Sequence, residues 1–206
     1  MRILVVPAAL ALFACAPRYS VYETKGAALR GEKAAREDSL FVRGEGEKHG
    51  SRAQASLHHS DLGWRFLQST SVGWSIPFYQ ALNNPGKIDR ALGHFNKARL
   101  LDSLNAQAYW GIALIASRRE KDLGHAADLM ERAAGLDTSS TSLWFDFGVA
   151  SYEALQSPSA SDTGRAGRGD LYRGNAIRAF EKVLEARDRP DLKGPAQVYL
   201  LELRKS

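Results

Sequence analysis

Apolar residues in the second half of the chain recur three and four positions apart, the spacing of one face of a helix. The pattern also repeats as a block. Ile88 to Asp102 lies over Leu123 to Asp137 at an offset of 35. Small residues meet at Ala91/Ala126 and Ala98/Ala133, large apolar ones at Phe95/Met130 and Leu101/Leu136, and Asp102 meets Asp137. The same offset carries Tyr109-Trp110-Gly111-Ile112-Ala113 onto Trp144-Phe145-Asp146-Phe147-Gly148. A third copy of the second helix runs from Asn175 to Leu184, fifteen residues later than the offset alone would place it. The surplus falls in Ser157 to Leu171, rich in Gly, Ser and Arg, and predicts an insertion loop over 157–171.

Periods of this size mark helical solenoids. The pattern resembles the tetratricopeptide repeat, over roughly residues 60 to 206. Asp102-Ser103 and Asp137-Thr138 stand where that repeat usually has Asp-Pro, and Ser and Thr can cap the helix that follows. The resemblance implies an all-α fold, a short solenoid of helical hairpins over 58–206. Ala113 and Gly148 would let the two helices of a hairpin approach, with Ala126 and Ala176 as their small partners. Phe95, Met130 and Phe180 would fill the gap to the next hairpin. An irregular helical bundle is the alternative. The first hairpin reads two ways. Either helices start near Ser60 and near Ser75, with Pro77 disturbing the second, or Gly63-Trp64-Arg65-Phe66 belongs to the first helix and an insertion precedes Ile88. Gly194-Pro195 predicts a capping helix over 195–204, closing the open end as solenoids require.

The N-terminus follows a different pattern. After Met1-Arg2 comes an uncharged, mostly apolar run from Ile3 to Ala14, too short to span a bilayer and suited to a secretory signal. It ends Leu12-Phe13-Ala14-Cys15, which resembles the lipobox of bacterial lipoproteins. That resemblance implies a signal peptide over 1–14, cleavage before Cys15, and acyl chains such as palmitate on its sulfur and new amino group. Several chains anchor a protein stably. Ala16 after the cysteine implies the outer membrane, facing the periplasm. Cleavage after Ala16 instead would leave a soluble periplasmic protein. Residues 15–57, with Arg30-Gly31-Glu32-Lys33 and Arg43-Gly44-Glu45-Gly46-Glu47-Lys48, are charged, interrupted by Gly and poor in large apolar side chains. They predict a disordered, flexible tether.

Composition changes this picture little. The chain of 206 residues is 44% hydrophobic and 25% charged, enough for one domain with a core. A net charge of +5, scattered along the chain, does not indicate nucleic acid. With Cys15 alone, no intrachain disulfide and no cysteine metal site can form. No G-x-S-x-G, H-E-x-x-H or phosphate loop occurs, so no enzyme, cofactor or metal is predicted. His58 and His59 are adjacent and point to different sides of a helix, and His94 and His125 read as surface residues. Gly164 to Asp170 reads as a solvated loop.

The repeat implies a partner-binding groove lined by its first helices. The matching positions are Trp110, Leu114, Ser117 and Arg118 in one repeat, and Phe145, Val149, Tyr152 and Glu153 in the next. The alternative places Trp110 and Phe145 in the core. The expected function is therefore a non-enzymatic, membrane-anchored interaction module. It would take another protein or peptide in the groove and serve a cell-envelope complex as adaptor or assembly factor. Two further readings are a soluble periplasmic binding protein or chaperone-like factor, and an enzyme with its site in 58–87. The last would show buried polar groups converging near His58, His59 and Trp64.

Overall fold

A computed structural model describes residues 36–68, 84–157 and 166–205. The chain divides into two compact units, Met1–Phe41 and Val42–Ser206. Of the first, only 36–41 are described, and they are helical. The signal peptide, Cys15, most of the predicted tether, and the helix expected near Ser75 lie outside the described residues.

The second unit is all helical, with no strand among its described residues. Helicity over 36–49 (α1) runs into it and ends at Gly50, whose φ of 84° lies in the left-handed region open to glycine. Next come α2 (Arg52–Gln68), α3 (Pro85–Leu101), α4 (Ala106–Ile115), a π-helical turn (Ala116–Glu120), α5 (Leu123–Leu136), α6 (Thr141–Gln156), α7 (Ala166–Glu185), a 3-10 turn (Pro190–Leu192) and α8 (Lys193–Lys205). Residues 36–49 and the start of α2 are therefore helical, well inside the segment predicted to be a flexible tether through 57. Two exchanges support it: Arg43 pairs with Glu47 one turn on, and the Ser51 hydroxyl caps α2 through the Gln54 N–H at 3.1 Å. The predicted 157–171 loop also ends early, because Ala166 to Leu171 form the first turns of α7.

Side-chain caps set the helix starts. Asn84, Asn105, Asp122 and Ser140 each accept the N–H three residues on, at 3.1 to 3.3 Å. Two positions repeat at the sequence offset: Asn105 and Ser140 are both caps, and Asp102 and Asp137 each accept an N–H two residues on.

Each helix packs on the next along the chain, α2 on α3 through to α7 on α8. The core lies between these pairs. Phe95, Met130 and Phe180, one from each of α3, α5 and α7, are fully buried. Phe95 fits between Gly63 of α2 and Gly111 of α4; a Cβ at Gly111 would sit 2.2 Å from its ring. Phe180 lies likewise on Gly148 of α6. Gly63 thus stands to Phe95 as Gly148 stands to Phe180, which favours the reading that put Gly63 to Phe66 in the first helix. Tyr199 of α8 stacks on Phe180, with ring centroids 4.9 Å apart, and brings the last helix against α6 and α7.

Candidate functional site: the face of the first helices

The first helices of successive hairpins, α2, α4 and α6, are joined by a line of side chains. The indole of Trp64 meets that of Trp110 edge to face, with centroids 5.1 Å apart. Trp110 Nε1 donates to Asp146 Oδ2 at 2.8 Å. Trp64 Nε1 is buried with no acceptor among the described residues. Towards the C-terminal ends of α4 and α6, Arg118 donates to Glu153 Oε1 at 3.0 Å and Ser117 donates to Glu153 Oε2 at 3.3 Å. Tyr152 donates to Glu202 of α8 at 2.7 Å, and the carboxylate that accepts its hydroxyl raises the phenol's pKa.

Asp146 is the electrostatic centre of this line. It is buried inside the apolar run Trp144-Phe145-Asp146-Phe147. Burial pushes its carboxyl up to about 7, against the Trp110 hydrogen bond and the charges of Arg118 and Arg189, which favour ionisation. The group therefore changes charge near neutral pH.

A surface cavity of about 390 Å³ opens beside the Arg118–Glu153 pair. Its lining includes Ser117, Arg118, Lys121, Leu123, Tyr152 and Glu153. The π-helical turn builds one wall, since it carries Ser117 and Arg118 and ends at Lys121 in the left-handed conformation, φ 60°. π-Helical turns cost regular hydrogen bonding and recur at functional sites.

The structure divides the eight sequence-predicted groove residues. Ser117, Arg118, Tyr152 and Glu153 meet at the cavity, and Trp110 lies half-buried further along the face. Leu114, Phe145 and Val149 are buried in the core, so they offer nothing to a partner. Phe145 is covered by Phe180 and Tyr199. Three residues of the face escaped the sequence reading. Asp146 carried a signal, a charge set inside the apolar run Leu143 to Ala150. Trp64 carried one too, once Gly63 is placed in register with Gly148. Lys121 carried none, because its place depends on the π-helical turn.

Two readings of other residues are corrected. His94 is not a free surface residue: its Nδ1 lies 3.0 Å from Nδ1 of the buried His59. The Arg168 region is helix, not loop, and Arg168 faces Asp128 at 3.7 Å.

Buried polar groups do gather beside His59. Asn105 Nδ2 donates to the Ser56 and Ser60 hydroxyls at 2.8 and 2.9 Å, and Ser56 donates to the Ala98 carbonyl at 2.8 Å. These groups consume one another's hydrogen bonds and tie α2 to α3 and α4, which is a structural role. Among the described residues, no three His, Cys, Asp or Glu side chains are placed to hold a metal ion. No described helix is long and apolar enough to cross a membrane.

No protein-family model matches the chain, and a search of curated proteins finds no match.

Proposed function

We propose that the chain is a membrane-anchored interaction module of the tetratricopeptide type, which holds a segment of another protein against α2, α4 and α6 and performs no chemistry itself. The observation that carries this reading is the line Trp64–Trp110–Asp146 across three successive first helices, with the Arg118–Glu153 cavity at its end. Half-buried aromatics beside charged groups are the composition of binding hot spots. Hairpins whose main contacts run between chain neighbours, with glycines where Phe95 and Phe180 approach the first helices, support the repeat reading. The lipobox-like Leu12-Phe13-Ala14-Cys15 supports a lipid anchor in the outer membrane, with the module in the periplasm as adaptor or assembly factor.

Photocrosslinking in the source cells tests the face. A photoreactive residue at position 118 or 152 should capture one defined partner. The same residue at 96 or 182, on the second helices, should not. Equal capture from both sets would remove the support for a binding face.

A further inference from the structure

Four of the chain's five histidines meet at one place. His49 of α1 stacks on His58 of α2, with centroids 4.4 Å apart. The next residue, His59, is buried and spans two helices. Its Nε2 lies 3.2 Å from Glu45 Oε2 of α1, and its Nδ1 lies 3.0 Å from His94 Nδ1 of α3. Glu45 Oε2 also faces His49 Nε2 at 3.3 Å. Phe66 stacks on His94, with centroids 5.5 Å apart. Two lysines stand by, Lys48 on α1 and Lys97 on α3. From α4, Asn105 reaches this end of α2 and brings no charge.

The contacts limit how many protons the cluster can hold. A hydrogen bond between two Nδ1 atoms contains one proton, so one ring must present N–H and the other a lone pair. With both rings neutral, His94 donates to His59 and His59 Nε2–H donates to Glu45. One added proton is tolerated, because His59 can then donate from both nitrogens, to Glu45 and to His94 in its other tautomer. A second is not. Two Nδ1–H groups would face each other at 3.0 Å, each on a cation, beside Lys97.

We propose that Glu45, His59 and His94 form a proton-operated clasp: double protonation of the histidine pair drives the His59 ring off His94 and out of its buried site, and residues 42–49 of α1, held to α2 through Glu45 and His59, are freed with it. The electrostatics run in the same direction. Burial lowers the pKa of His59, against the raising effect of Glu45, and His94 and Lys97 lower it further. Burial, then Lys97 and His58, lower that of His94. Groups held below their ordinary 6.5 stabilise the closed form above that pH, and the stabilisation is lost as pH falls below it. Burial works to raise the Glu45 carboxyl, but Lys48, the His59 hydrogen bond and the charges of His59 and His49 together hold it below 4.5. It therefore stays ionised while the histidines titrate, and its contribution is also lost on the acid side.

Opening would free eight residues, 42–49, which span roughly 25 Å when extended. Under the anchoring reading, this would lengthen the reach of the module from the membrane. The clasp itself stands without that reading.

Hydrogen exchange on the full chain tests it, with rates corrected for the intrinsic effect of pH. Between about pH 7 and about pH 5, protection of the 43–49 amides should fall about tenfold per pH unit for each proton taken up. Protection of α5 and α6 should hold. In His94→Gln, where an amide can donate or accept at any pH, the dependence should fall to that of the single proton taken up by His59; in His125→Gln it should persist unchanged. Glu45→Gln should move opening to higher pH. Unchanged protection in the parent chain, an unchanged dependence in His94→Gln, or a shift to lower pH in Glu45→Gln would each overturn the proposal. So would a transition displaced by zinc or by a chelator, which would assign the cluster to a metal.

Discussion

Replacing Asp146 with Asn removes one ionisable group from the middle of α6 and keeps an oxygen for the Trp110 N–H. In the folded chain the carboxyl titrates at about 7, against an ordinary value of 3.8. A carboxyl raised in this way favours the folded state fully below about 3.8, and that advantage is lost as pH rises through about 7. Three pKa units at 1.36 kcal/mol each make about 4 kcal/mol. Asn has no such titration. The stability of Asp146→Asn relative to the parent should therefore rise from acid pH, by up to about 4 kcal/mol, and level off above about pH 7. Its constant part is separate, since the new amide N–H₂ near Arg118 and Arg189 needs acceptors. Urea unfolding of both proteins across that range measures the difference. A difference independent of pH would show that Asp146 is not the buried, proton-binding centre of the face.

Other consequences follow from packing and capping. Gly111→Ala would place a methyl against the buried Phe95 ring; overpacking of about 1 to 3 kcal/mol outweighs a helix-propensity gain of at most about 1 kcal/mol, so urea unfolding should show a net loss. Asn105→Ala removes the α4 cap and both ties to α2, and should cost about 2 to 3 kcal/mol, read by thermal or urea unfolding. The mass of the mature N-terminus reports the anchor: an acylated Cys15 is expected, and an unmodified chain starting at Pro17 would exclude it.

The hairpins were legible because their contacts are written twice. The small residues at Ala91/Ala126 and the large ones at Phe95/Met130 recur at one offset, and so do the Asn105 and Ser140 caps. The start of the domain was not legible. α2 is held by Ala55, Ser56, His59, Ser60, Gly63 and Leu67; the first two, small or polar, fall in the predicted tether when only large apolar side chains are counted. Their partners, Ala98, Asn105 and His94, lie 35 to 49 residues away, and nothing local in the sequence marks those pairings. Half of the predicted groove met at the cavity for a related reason. The repeat gives which residues face which side, but Leu114, Phe145 and Val149 became core because neighbouring helices, α8 among them, pack over that part of the face.

The most direct measurement compares what the parent chain and an Arg118→Ala, Tyr152→Ala double variant retain on quantitative affinity capture from the source cells. Both side chains are half-buried at the cavity mouth, so the variant should keep its helical content by circular dichroism. A specific partner held by the parent and lost from the folded variant is the expected result. The same partners held equally by both would contradict the assignment of this face.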